Sequence, residues 1–227
     1  MRYFKVLSAS GGAHHGGIGK WHLPKGKRPG KWMPPIEGDL VPCENGYHLC
    51  RPDDLLVWLG PRIFVSEYRG EMVADDNKIV VREARLLRET DWNERSARLF
   101  ACDCAERVLP IFEKEYPDDK RPREAIRVAR LFARGEATAA AWDAARAAAW
   151  DAARAAAWAA AWAAAGDAAR AAAWAAAGDA AWAAAGDAAW AAAGAAAGDA
   201  AWAAAGDAEK KWQRRRLMAY LDGKGGA

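Results

Sequence analysis

The sequence predicts an α+β protein: a small mixed N-terminal domain followed by an all-α region that ends in an alanine-rich, tetrad-repeat helical hairpin or bundle. Three observations carry that reading. Short runs of β-branched and aromatic residues, separated by Gly and Pro, fill the first 90 residues. Apolar residues then recur at helical spacing from Asp91 to Phe132, and alanine dominates from Ala137 to Ala208. The composition changes sharply near Gly135, so the chain divides into residues 1–90, a two-helix connector at 91–136 and the repeat with its amphipathic cap at 137–227.

In the first part, Arg2 to Leu7 alternates enough to be a strand. A loop rich in Gly, Pro, Lys and Trp runs from Ser8 to Pro42, and loops of that length in compact domains are usually functional or mobile. Further on, the sequence predicts a short strand at Tyr47 to Cys50 and a small helix opening at Pro52, with Asp53 and Asp54 in its first turn. Strands are expected at Arg62 to Tyr68 and Lys78 to Leu87.

Asp91 stands three residues before Glu94, the spacing of a capping box, and Leu99, Phe100, Cys104, Val108 and Phe112 follow at helical intervals. Pro110 is expected to bend the last turn of that helix. A second helix begins near Pro122, turns Ile126, Ala129 and Phe132 inward and stops at Gly135, after which Thr138 is placed to cap the next.

From Trp142 onward every fourth residue interrupts the alanine background, most often with Trp, Gly or Arg, and Asp often follows it. Trp142, Trp150, Trp158, Trp162, Trp174, Trp182, Trp190 and Trp202 belong to this series. A step of four overshoots a helical turn by roughly 40°, so the indoles lie on one ridge that winds slowly round the helix. A lone helix would show that ridge to water, so the tract is expected to fold back, with its break at Gly194 to Gly198, or to assemble with copies of itself. The same tryptophans suit core packing or a partner-binding surface. A β-solenoid with an eight-residue repeat is the rival geometry. The closing EKKWQRRRLMAYL reads as an amphipathic helix that packs Trp212, Leu217, Tyr220 and Leu221, keeps Lys210, Lys211 and Arg214 to Arg216 in water, and stops at Gly223.

A net charge of +3 on 227 residues is too balanced to select a partner class, so a nucleic acid is possible but not favoured. Four cysteines and a first segment without an apolar run imply a reducing, cytoplasmic setting. The uncharged runs of the repeat fall short of the roughly 20 residues a membrane span needs. Lys20, Trp21, Lys25, Lys27, Arg28, Lys31 and Trp32 mix positive charge with aromatics, as a single-stranded nucleic-acid or phosphate-ligand site does, against the plainer reading of a solvated loop. Cys43, His48 and Cys50 form C-x4-H-x-C, which matches no common zinc spacing, so no metal is assigned and the thiols are read as buried and structural. No Ser-His-Asp set or carboxylate pair stands out, so no catalytic residue and no cofactor are assigned.

The segments F-A-C-D-C-A-E-R-V-L (Phe100 to Leu109), Y-P-D-D-x-R-P (Tyr116 to Pro122) and W-Q-x-x-R-L (Trp212 to Leu217) carry a resemblance, over Thr90 to Leu221, to the putative immunity protein family of bacterial polymorphic toxin systems. That resemblance implies an all-helical fold that binds and neutralises a cognate toxin. Separately, C-E-N-G-Y-H-L-C at Cys43 to Cys50, with the residues around it from 1 to 87, is similar to an uncharacterised domain of phage and bacterial proteins. Together these features predict a non-catalytic interaction factor, immunity-like or accessory to a phage or mobile element, whose helical repeat meets a toxin or host protein. The alternative makes the N-terminal domain a nucleotide or nucleic-acid binder, with an enzymatic role left open, on an oligomerising helical stalk.

Overall fold

A computed structural model of the chain describes residues 2–14, 19–145, 147–148 and 199–225. The chain forms two compact units, Met1–Asn93 with Met218–Lys224 and Glu94–Leu217 with Gly225–Ala227.

The first unit is built on four strands: β1 (Tyr3–Leu7), β2 (Tyr47–Leu49), β3 (Arg62–Asp75) and β4 (Lys78–Glu89). All pair antiparallel in the order β1-β3-β4-β2. Phe4 and Cys50 then exchange two backbone hydrogen bonds of 2.9 and 2.8 Å, so the outer strands meet and the sheet closes on itself. Two bulges supply the curvature that closure needs. One lies between Arg69 and Met72, where Gly70 takes the left-handed conformation at φ 79°, and the other between Val65 and Ser66. Leu7, Trp21, Met33, Leu49, Phe64, Ile79, Val81, Ala84 and Leu86 fill the enclosed core.

The long loop is lashed to this sheet. Gly30, Met33 and Ile36 donate their N–H groups to the carbonyls of Leu86, Ala84 and Arg82 at 2.8, 2.9 and 3.0 Å. The segment thereby covers the stretch of β4 beyond β2 and blunts an edge that would otherwise offer open donors and acceptors. The Tyr47 hydroxyl donates to the Pro34 carbonyl at 2.8 Å, and the Arg82 guanidinium donates to the Ile36 and Gly38 carbonyls at 2.7 and 2.5 Å.

Residues 51–58 form successive turns, not the expected small helix. Asp54, placed by the sequence in a helical first turn, accepts from the Arg51 N–H and guanidinium instead, at 2.8, 2.7 and 3.0 Å. Arg51 reaches on to the carbonyls of Asp75 and Asp76 at 2.8 and 2.9 Å, pinning the turns to the tip of the β3–β4 hairpin. The chain's end joins the same unit: the Asp91 N–H donates to the Leu221 carbonyl at 3.1 Å, and Arg2 pairs with Asp222 at 2.8 Å.

The second unit holds α1 (Glu94–Glu115), α2 (Arg121–Arg134), a helical stretch at 139–145 and most of α3 (Asp199–Leu221). α1 begins at Glu94, three residues after the expected cap Asp91, and runs through Pro110 to Glu115. α2 stops as its sequence predicts. Gly135 is left-handed at φ 78°, and the Gly135 and Glu136 N–H groups take the last carbonyls of Phe132 and Leu131. Thr138 caps the next helix, its hydroxyl accepting from the Ala141 N–H at 3.1 Å. Gly223 ends α3 in the way Gly135 ends α2, at φ 71°. The tryptophans from Trp150 to Trp190, the break at Gly194 to Gly198 and the solenoid alternative lie outside the described residues. The described ends of the repeat, 139–145 and Asp199 onward, are helical.

Candidate functional site

Two of the three motifs that carry the immunity-protein resemblance meet at one carboxylate. Asp103, in the F-A-C-D-C segment of α1, is buried, 8% exposed. Arg130 of α2 reaches its Oδ1 at 2.9 Å and Arg216 of α3, from the W-Q-x-x-R-L segment, its Oδ2 at 2.6 Å. A buried carboxylate costs several kcal/mol unless paired, and here two guanidiniums from two other helices supply the compensation. Arg216, expected in water, therefore serves the interior because Asp103 gives it a partner there. Arg130 also grips Glu106 at 2.6 Å, and Arg123 takes Glu113 through two bonds of 2.7 and 2.6 Å, so a row of ion pairs stitches α1 to α2.

A second polar group lies beside this clamp. Gln213 is 1% exposed, and its amide nitrogen lies 3.3 Å from Glu209, which itself pairs with Arg107. The Arg107 guanidinium lies 4.7 Å from the centre of the Trp212 ring. Cys102 and Cys104 flank Asp103 in the apolar interior, where burial pushes the Cys102 thiol up to about 12 and the Cys104 thiol well above its ordinary range. Both stay protonated at neutral pH and are poor nucleophiles.

Trp142, the first residue of the ridge, belongs to this core. It is 7% exposed, packs with Ala101, Cys102, Ala105, Leu109, Ile126 and Ala129, and stacks on Phe132 with ring centres 5.7 Å apart and planes 4° from parallel. Core packing therefore accounts for this ring. Trp202 lies within α3, and Trp150, Trp158, Trp162, Trp174, Trp182 and Trp190 lie outside the described residues.

The predicted ligand loop divides in two. Trp21 is 7% exposed and sits in the core of the first unit, edge-on to Tyr47 at 5.5 Å. Trp32 is half-buried, with the guanidiniums of Arg69 and Arg85 lying 4.5 and 4.7 Å from its ring centre. Lys20, Lys25, Lys27, Arg28 and Lys31 are all exposed. The indoles are thus anchors, and only the cations face solvent.

Lys5 escapes a reading by pattern. It faces the enclosed side of β1, where its ammonium donates to the His48 carbonyl at 3.0 Å and lies 4.9 Å from the centre of the Trp21 ring. Burial holds its pKa down at about 8. The same burial, followed by the charges of Lys5 and Lys78, lowers that of His48. Among the C-x4-H-x-C residues, Cys50 is buried with its thiol pushed up to about 12, as a structural thiol should be. Cys43 is exposed and left-handed at φ 67°, contrary to the expectation of burial, because its N–H donates to His48 Nε2 at 2.8 Å and turns the chain there. No group of three or more His, Cys, Asp or Glu among the described residues is placed to hold a metal ion. No helix among them is long and apolar enough to cross a membrane.

Asp103 and its two arginines thus tie α1, α2 and α3 into one helical unit. The chain belongs to the family described as Imm-5 like putative immunity protein, whose model matches residues 90–220. That span takes in α1, α2 and Asp103 with both of its arginines, and leaves residues 1–89 outside the match. The comparison with curated proteins finds no match, and neither does the comparison with solved structures.

Proposed function

We propose that the chain neutralises a bacterial protein toxin by binding it, using a surface of the alanine-rich repeat. Membership of the immunity-protein family over residues 90–220 carries this reading. Several of the residues by which the chain resembles that family are occupied internally: Asp103 and Arg216 hold each other with Arg130, and Cys102, Cys104 and Leu217 are buried. Recognition of a toxin then falls to side chains beyond the clamp, and the tetrad series after Trp142 is the largest stretch of sequence available for it. The indoles spaced in fours along that sequence are of the aromatic type that dominates protein interfaces.

The test is neutralisation in a bacterial host made to express candidate toxin domains taken from genes that neighbour this one. Co-expression of the full chain is expected to restore growth, and a chain lacking residues 149–198 is expected to fail while keeping its soluble expression. Growth that is not restored by the full chain overturns the immunity reading. Full protection by the shortened chain moves the toxin surface out of the repeat and onto the helices that flank it.

A further inference from the structure

The near-neutral total conceals a segregation of charge. Residues 1–36 carry seven Lys or Arg and no Asp or Glu, so the remaining 191 residues hold 26 basic side chains against 30 acidic ones. The whole positive excess of the chain lies in these first 36 residues. Five of those seven cations, Lys20, Lys25, Lys27, Arg28 and Lys31, are gathered within twelve residues and exposed.

The long loop presents them on a finger closed by a hairpin turn. Lys25 and Arg28 exchange backbone hydrogen bonds of 3.0 and 3.1 Å across Gly26 and Lys27, with Gly26 at φ 58°, which is a two-residue hairpin tip. At the base, Gly30 packs so closely on the His22 carbonyl that a Cβ there would fall on the oxygen. Buried Trp21 roots the finger on one side and buried Met33 on the other. Lys25, Lys27 and Arg28 thus stand at the tip, and Lys20 and Lys31 flank the base in sequence.

Two further observations select the ligand. Most arginines elsewhere among the described residues have a carboxylate partner, whereas no ion pair among those residues involves any of the five finger cations. The finger also lacks an apolar anchor: the exposed large hydrophobics among the described residues are Val41, Val57 and Met72, none of them within it. A protein partner recognised through this tip would lack the aromatic or aliphatic hot spots that such interfaces use. A single strand would lack a stacking platform, since Trp21 is in the core and Trp32 lies against two guanidiniums. Unpaired cations on a stiff support suit a row of phosphodiesters, where contacts position a duplex without reading its sequence. We propose that the finger formed by residues 20–31 binds the phosphate backbone of a nucleic-acid duplex, as a function of the first unit separate from toxin neutralisation.

The experiment is fluorescence anisotropy of the full chain with a labelled 20-base-pair DNA duplex, the same sequence as RNA duplex and as single strand, and a poly-glutamate peptide of equal charge. Expected is duplex binding that weakens with salt at a log-log slope of about −4.5, as five phosphate contacts require. The triple variant Lys25→Ala, Lys27→Ala, Arg28→Ala should weaken binding roughly tenfold or more and reduce the slope by about 2 to 3. Equal charge removed elsewhere, by Lys114→Ala, Lys120→Ala and Lys210→Ala, should leave binding unchanged. All three finger residues are exposed, so the fold is expected to survive, and unchanged thermal unfolding checks it. The DNA and RNA arms show which duplex fits better. Duplex binding that the finger variant leaves intact overturns the proposal, as does the absence of duplex binding or equal affinity for poly-glutamate.

Discussion

Each unit of this chain buries a charge, and the two solve the problem in opposite ways. In the helical unit Asp103 is held by two guanidiniums from two other helices, a pairing that costs little only while all three partners are present. In the strand unit no carboxylate among the described residues pairs with Lys5; a backbone carbonyl and the face of Trp21 stand there instead, and burial lowers its pKa to about 8. A fully paired charge fixes how separate helices meet, whereas a half-compensated one remains sensitive to its proton.

Removing one member of the clamp should show the contrast most strongly. Asp103→Ala leaves two arginines facing each other and is expected to cost about 3–5 kcal/mol by urea unfolding. Replacing Asp103, Arg130 and Arg216 together by apolar residues of similar volume should recover much of that loss. If the triple replacement is no better than the single one, the clamp is not the organising element. Trp142→Ala tests the apolar side of the same unit, with an expected cost of about 3–5 kcal/mol for a buried ring stacked on Phe132. Unfolding unaffected by that change would return Trp142 to the partner-binding ridge.

For Lys5 the expectation concerns pH. Its folded pKa of about 8 lies below the ordinary 10.5, so between those values the unfolded chain holds more protons and stability rises with pH. The rise is complete above 10.5 and amounts to at most about 3 kcal/mol. Lys5→Met should abolish it, measured as the difference between the two unfolding profiles over that window. Cys50 acts in the opposite sense, because its thiol near 12 in the fold lies above the ordinary 9.0, and taking the difference between the profiles removes that shared contribution. The smallest effect sharpens a boundary: Thr138→Ala removes the hydroxyl that caps the next helix and should cost about 1 kcal/mol.

Much of this architecture was legible in the sequence, and the exceptions share a cause. The four strands begin where β-branched and aromatic runs begin, and α2 ends at Gly135 because only glycine takes that conformation freely. β3 outruns its predicted end at Tyr68 because residues 69–75 are largely exposed and carry no hydrophobic alternation. Pairing with β4, not burial, keeps that stretch extended. The turns at 51–58 depend on Arg51 reaching the hairpin tip, a contact no local window contains. Asp103 and Lys5 were missed for the same reason: a charged residue reads as exposed until its partner is known, and Arg216 stands 113 residues from Asp103. A pair of cysteines around an aspartate was the available signal that one helical position faced inward. The basic loop was visible as composition, but which members were anchors became clear only with Trp21 in the core.

The rung between Phe4 and Cys50 also bears on how this chain must be handled. It turns a sheet with two raw borders into a continuous ring, so removing residues 3–7 would unzip that ring and uncover the backbone of β3 at once. Tags and fusions are therefore safer beyond Lys224 than on β1, and versions trimmed at the start should clump instead of merely losing stability.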